Sequence, residues 1–341
     1  MKLFIFFFLT SVYLFSANIG FIHPDGLNCV SPSLLKEALE RSGHRVEVTS
    51  FNKVHKFDLI ISINKLTNNL ETAKKTILVS MEPKILFKEL YTKEITDNYL
   101  RVFTFDHKLC ESKRYVKMFY PWLVYIDNKV VDRSFKEPWF YEQYPFHDII
   151  KISDKFVPFS DRKLVCLLNS YLKINSLEEN YGKRLEIAKF YDEFHPNDLS
   201  LYGMKGWEEF NLSIFKGFCD WEKANELFQT HKFCYCYDNW ENDVYYISEK
   251  IQNCFQNLCV PIYSGCKKIA DYIPKETFIN ANDFNSPSEI HEFISKMDEQ
   301  TWMGYIQAMQ KFVISEESKI FTLEKYVENL VKTVNQALSE G

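Results

Sequence analysis

The sequence predicts an α/β protein built on two parallel sheets, and three observations carry that expectation. Short apolar runs alternate with amphipathic helical patterns from Asn18 to Phe119. The alternation restarts at Lys163 and continues to Leu338. Between them, residues 123–160 break the rhythm with charge, proline and aromatics, as in Lys136-Glu137-Pro138-Trp139-Phe140-Tyr141. Strands separated by helices pair in parallel, with the helices packed on the sheet faces. A chain of 341 residues has room for two domains of ~150–190 residues. The expected division is 18–155 and 156–320, with a closing helix in 321–341.

In the first half, Asn18 to Ile22 reads as a strand. Ser31 is placed to cap a helix with Pro32 at its first position, and Leu34, Leu35, Ala38 and Leu39 form its apolar stripe. Gly43 ends that helix, and Arg45 to Thr49 alternates as a second strand. Asp58–Ser62, Thr76–Val79, Arg101–Phe105 and Val116–Phe119 follow as apolar runs. In the second half, strands are expected at Lys163–Leu168, Asp198–Tyr202, Lys232–Tyr237, Val260–Tyr263 and Phe278–Asn280. Helices are expected at Lys183–Phe194, Pro287–Met297 and Leu323–Leu338, with a turn at Gly203–Gly206.

Hydrophobic content of 46% and charged content of 26% place the chain among folded globular proteins rather than disordered or fibrous ones. A net charge of −5 gives no footing for nucleic acid as the main partner. The nine cysteines form no paired C-x-x-C motifs and are read as mostly reduced; the eight histidines show no metal-binding spacing. Neither G-x-G-x-x-G nor a P-loop is present. Lys2 followed by Leu3–Phe15 resembles a short signal peptide or a membrane-associating segment, too short for a span of ~20 residues. Residues 1–17 are therefore set apart, with membrane association through residues 3–15 as the expectation and its side left open.

The most informative stretch is Tyr245–Gly265, YYISEKIQNCFQNLCVPIYSG. Ser248 reads as an N-cap, and Ile251, Cys254, Phe255 and Leu258 form one apolar helix face. Glu249 and Lys250 then sit in the first turn, where unpaired N–H groups favour a phosphate. Two solvated surface charges explain the same residues. Gly265 is expected to end the following strand. Glu82, in Ser80-Met81-Glu82-Pro83, lies just past a strand's carboxyl end, where parallel sheets place their sites. It is a candidate general base or a loop glutamate. Arg184 alone reads as a surface arginine or a diphosphate ligand, and Asp238-Asn239 as a turn or ligand contact. Asp106-His107 lacks a third partner for a triad.

Taken in order, these motifs resemble glycosyltransferase family 10, the α-1,3/4-fucosyltransferases. The strings KFCYCYDNW, YYISEKIQNCFQNLCVPIYSG and IADYIPKETFINANDF, within Lys232–Phe284, are similar to the family's core motif. Upstream, Ser80–Pro83, Phe105-Asp106, Arg114–Met118, and Arg184 with Asp198–Gly203 look like its further elements. The resemblance implies a GT-B fold, two Rossmann-like domains facing a cleft. It implies inverting transfer from GDP-β-L-fucose to a hydroxyl of a glycan, such as a GlcNAc-containing one, without a required metal or other cofactor. Carried over by position, Glu82 is the general base, Arg184 and Lys250 neutralise the departing diphosphate, Glu249 binds sugar hydroxyls, and Asn239 and Tyr246 hold the nucleotide. Such a protein sits at the bacterial cytoplasmic face or in the Golgi lumen. Asp238 stands where the family has Glu and Ser264 where it has Trp. Another GDP-sugar donor, or a catalytically silent sugar-nucleotide or glycan-binding protein, stays open.

Overall fold

The computed structural model describes residues 16–23, 30–121, 156–203 and 206–340. The signal-like run 3–15, most of the aromatic insertion and the middle of the Gly203–Gly206 turn lie outside them, as do the side chains of Ser31 and Pro32.

The first sheet contains strands β1 (Asn18–Ile22), β2 (Arg45–Val48), β3 (Leu59–Ile63), β4 (Thr76–Val79), β5 (Arg101–Thr104) and β6 (Tyr115–Lys117), in the order β2-β1-β3-β4-β5-β6. The pairings of β1 with β2 and β3, of β3 with β4 and of β4 with β5 are parallel. Every residue of β3 and β4 is buried, which is why these strands read as continuous apolar runs rather than alternating ones. Helices α1 (Val30–Arg41), α2 (Leu70–Lys74) and α3 (Lys93–Thr96) lie between the strands.

The second sheet contains β7 (Lys163–Leu168), β8 (Leu199–Tyr202), β9 (His231–Asn242), β10 (Val260–Cys266) and β11 (Ile279–Asn280), in the order β11-β10-β9-β7-β8. All four pairings are parallel. Helices α4 (Tyr181–Phe194), α5 (Trp221–Gln229), α6 (Lys250–Gln256), α7 (Pro287–Ser295), α8 (Glu299–Val313) and α9 (Leu323–Glu340) complete the order. From β7 the chain steps outward to β8, then returns past β7 to β9. That reversal opens a crevice at the carboxyl ends of β7 and β9, where doubly wound sheets hold their ligands.

Three expectations need correction here. β9 continues through Asp238 and Asn239, which are strand residues and not a turn. β10 runs through Gly265 instead of stopping at it, because the ladder to β9 changes register there, from Ser264 opposite Tyr237 to Cys266 opposite Asn242. A bulge of this kind needs a residue that tolerates close approach. α6 begins at Lys250, with Glu249 at the cap position, so the helix is shorter than its apolar face suggests. Leu258, the last residue of that face, has already left the helix at φ 53°.

The chain divides into two compact units. The first takes the described residues up to Ser80, Lys93–Phe103 and those from Val327 onward; the second takes Met81–Thr92 and Thr104–Tyr326. This division differs from the expected boundary at 155. Aromatic packing within the second unit accounts for the difference: Phe105 meets Tyr246 edge-to-face at 5.0 Å, His107 stacks on Tyr245 at 4.7 Å, and Tyr91 meets Trp240 at 5.6 Å. In the first unit, α9 is tied down by His44 Nε2 against Asn335 Oδ1 at 2.8 Å and by the Arg101–Glu340 ion pair. All eight described cysteines are free thiols, and seven are buried. Among the described residues no helix is long and apolar enough to cross a membrane.

Candidate active site

The crevice at β7 and β9 is held by Arg184. Its guanidinium donates to Ser170 O beyond the end of β7 at 3.2 Å, to Tyr237 O in β9, and to Asn239 Oδ1 at 2.9 Å. One side chain thus bridges the two strand ends at the point where they diverge. Read alone, this residue looks like a surface arginine; in the fold it is fully buried, and the ring of Tyr181 lies 4.7 Å from it. Burial lowers its pKa, opposed by Tyr181 and Asp238. The Nε atom makes no hydrogen bond among the described residues. Periodicity could not reveal this, because Arg is rarely buried without partners and these partners lie 14 to 55 residues away in sequence.

Asp238 organises the next layer. It is fully buried and accepts from the Ser248 hydroxyl, and from Tyr263 Oη at 2.6 Å. The Tyr263 oxygen in turn accepts from the Cys266 amide at 2.8 Å. Burial raises the Asp238 pKa, while Lys250, Ser248 and Tyr263 pull it down. The Ser248 hydroxyl, expected to cap the helix, is therefore committed to Asp238, with the Lys250 amide 3.4 Å away as its weaker contact. Just before it, Tyr245 adopts φ 73°, a left-handed conformation costly for an aromatic residue, of order 1–3 kcal/mol. Its ring stack on His107 and a 2.9 Å bond from its hydroxyl to Asp271 offset that cost.

Held in this way, residues 246–250 present the charged groups. Lys250 Nζ lies 3.4 Å from both Ser248 Oγ and Glu249 Oε1. Tyr246 is buried among Phe105, Tyr120 and Trp240. Glu82 belongs to the same unit and is half-buried, with Tyr91 Oη donating to its main-chain carbonyl at 2.8 Å. Burial raises the Glu82 pKa, the Glu249 carboxylate adds to the rise, and Lys250 opposes it. Glu249 and Lys250, paired at 3.4 Å, thus act in opposite directions on the Glu82 carboxyl, and Arg184, Lys250 and Glu82 all act on the Tyr181 hydroxyl. Asn239 sits beside Arg184, and Tyr246 serves as packing under the loop.

Sequence reasoning passed over several members of this site. Tyr181 and Asn180 match no motif in the sequence and Tyr263 reads there only as a strand residue, although Asn180 is fully buried between Asn239 and Ser264. Aromatic and amide residues scattered over 84 positions carry no local signal. Asp106 and His107 are structural: Asp106 caps a turn through the Lys108 amide at 3.2 Å, and His107 Nε2 meets Met118 O at 3.0 Å. A cavity of about 430 Å³, lined by Lys84, Tyr91, Asp106, Glu178, Trp240 and Asp243 among others, lies beside Glu82 through Tyr91.

Solved structures with similar folds include an alpha1,3-fucosyltransferase crystallised with GDP-fucose, at TM-score 0.57 and 16% identity over 92% of this chain and 90% of that one. A DNA-modifying beta-glucosyltransferase aligns at TM-score 0.52 and 11% identity, over 92% and 99% of the two chains. These likenesses establish the fold, which is GT-B. In sequence, the human and mouse 4-galactosyl-N-acetylglucosaminide 3-alpha-L-fucosyltransferase 9 are each 26% identical over 163 residues, 46% of this chain. The match spans 40% of those relatives' length. The family model described as "Glycosyltransferase family 10 (fucosyltransferase) C-term" matches residues 162–336, just over half of the chain. That stretch holds Arg184, Asp238, Ser248, Glu249 and Lys250, and the chain belongs to glycosyltransferase family 10.

Proposed function

We propose that this protein transfers L-fucose from GDP-β-L-fucose, with inversion, to a hydroxyl of a glycan acceptor, and that Glu82 is the general base. What supports the reading is the family-10 match over the stretch that holds Glu249 and Lys250, with Glu82 in the same compact unit. Glu82 takes the proton of the acceptor hydroxyl as its oxygen attacks the anomeric carbon, and the bond to GDP breaks on the opposite face. The negative charge growing on the diphosphate is met by Lys250, with the positive field of Arg184 behind it. Glu249 accepts hydrogen bonds from sugar hydroxyls, and Asn239 and Tyr246 shape the nucleotide end. The acceptor is a galactosyl-N-acetylglucosamine type of glycan, as in the names of the matched relatives. The cavity lined by Trp240 and Tyr91 is its place, an aromatic face being suited to a sugar ring.

A donor panel tests the assignment. Thermal unfolding is expected to shift upward with GDP-fucose and GDP, and not with UDP-sugars. Stabilisation by another GDP-sugar but not by GDP-fucose would support the second reading, a changed donor. That reading has its own observation in buried Ser264, bonded to Asn180 where the family carries Trp. A catalytically silent binding protein would be favoured by a solvent-facing Glu82, whereas Glu82 here is half-buried and in the same unit as Lys250.

The proposed base also predicts a pH profile. A general base works only when ionised, so a raised pKa means activity is lost as pH falls through a value above the ordinary 4.5. Glu249→Gln removes a like charge, lowers the Glu82 pKa and moves the acid limb to lower pH. Lys250→Met removes the opposing cation and moves it higher. The limb position in kcat against pH is the readout, and an unchanged limb in Glu249→Gln would be incompatible with the coupling.

A further inference from the structure

Away from this site, the second unit gathers three potential metal ligands that are distant in sequence. His195 follows the last turn of α4, Asp198 immediately precedes β8, and His291 lies on α7. A turn bond from the Asp198 amide to His195 O at 3.0 Å fixes the first two relative to each other. Helix packing brings His291 to them across 93 residues. His195 Nδ1 and His291 Nε2 each lie 3.8 Å from Asp198 Oδ2, and the three ligand atoms all fall within 4.8 Å of one another.

These separations decide between two kinds of interaction. At 3.8 Å neither imidazole hydrogen-bonds the carboxylate, since such bonds need about 2.7–3.2 Å. Three such atoms within 4.8 Å of one another can nevertheless surround a single ion. Tetrahedral zinc with bonds of ~2.0–2.1 Å holds its ligands roughly 3.3 Å apart, so the two His–Asp pairs must each close by about half an ångström and the stacked rings must splay to meet the ion. Two imidazoles and one carboxylate suit a borderline-soft divalent ion such as zinc, not magnesium or calcium, which prefer all-oxygen shells. The rings are stacked, 3.8 Å between centroids at 25°, and neutral imidazole is the form in which each would bind a metal.

Access and surroundings agree. The side chains of His195 and Asp198 are 38% and 40% exposed, while His291 is 12% exposed. Solvent therefore reaches the point of convergence and can supply a fourth ligand. Phe190 and Tyr191 wall the His291 ring, with centroids at 6.0 and 5.4 Å. His291 Nδ1 is buried without a hydrogen-bond partner among the described residues. It therefore lacks the orienting bond that tight sites give their histidines, which sets the expected affinity in the micromolar rather than the nanomolar range.

We propose that His195, Asp198 and His291 form a zinc-class metal site that clasps the end of α4 and the entry to β8 onto α7. Its role is structural. Asp198 marks the amino end of β8, whereas Asp238 and Asn239 lie towards the carboxyl end of β9, and in a parallel sheet these are opposite edges.

The test uses the full chain stripped with chelator and titrated with zinc chloride. One zinc per chain is expected at micromolar affinity, with a rise of several degrees in the unfolding temperature and no rise with magnesium. Cobalt(II) substitution should give visible d–d bands of a low-coordinate nitrogen–oxygen site. His195→Gln, at the part-exposed end of α4, should weaken zinc binding at least tenfold and abolish the thermal shift; Asp198→Asn should do the same. Transfer activity measured without added zinc should be unchanged in His195→Gln. Equal zinc binding by wild type and both variants would assign the metal to the thiols and overturn the proposal. So would the absence of micromolar binding, which would leave a water-bridged His–Asp–His cluster.

Discussion

Glu82→Gln is expected to reduce fucosyl transfer by about 10²- to 10⁴-fold, the usual range for loss of a positioned general base. The substitution keeps shape and hydrogen-bonding reach but replaces the basic carboxylate that takes the proton with a neutral amide. It should leave GDP binding within about threefold, because Lys250 and Glu249 sit on a separate segment held by Asp238. Binding to GDP is expected to strengthen slightly if it changes, since one of the carboxylates near Lys250 is neutralised. The measurement is GDP release in the presence of acceptor, paired with GDP affinity by calorimetry. A kcat within threefold of wild type would remove Glu82 from the base role. Loss of both transfer and GDP affinity would instead make it a donor ligand.

The second large effect is structural and falls on the loop that carries the donor residues. A Cβ placed on Gly265 would lie 2.5 Å from both Asp238 Oδ2 and Tyr263 Oη, and 2.8 Å from Asp238 Cβ. These atoms belong to buried side chains that are bonded to each other at 2.6 Å, so they have nowhere to retreat. Gly265→Ala must either overpack the site or separate Tyr263 from Asp238. Overpacking costs about 1–3 kcal/mol, and a lost hydrogen bond to a charged group costs about 1.5–3 kcal/mol. The unfolding temperature should drop by roughly 5–10 °C for a unit of this size. GDP affinity should fall with it, because Ser248, the residue next to Glu249, is held by the same carboxylate. An unfolding temperature within a degree of wild type would show that the bulge at Gly265 has slack.

The two experiments separate chemistry from architecture. Glu82→Gln should be folded and inactive, whereas Gly265→Ala should lose stability and donor binding together. Asp238 connects them: it is the buried acceptor that turns a local sequence motif into a placed constellation. Its full burial is tolerable because two hydroxyl donors meet it, and because Lys250 lowers the cost of its charge.

The sequence by itself determined the α/β class, most of the strands and the stretch from which Glu249 and Lys250 project. These features are legible because a strand buried on both faces is mostly apolar, as β3 and β4 are apart from Ser62 and Thr76. A motif of consecutive residues likewise keeps its order whatever the rest of the chain does. Only the tertiary structure decided which polar groups meet. Arg184 reads as a surface residue until β7 and β9 diverge around it, and Asp238-Asn239 reads as a turn until the bulge at Gly265 extends the strand. Histidines without metal spacing in the sequence converge only when α7 packs against α4. The physical reason is common to all three: periodicity records whether a residue is buried, whereas the partner that makes burial of a charge affordable lies tens of residues away and is chosen by the fold.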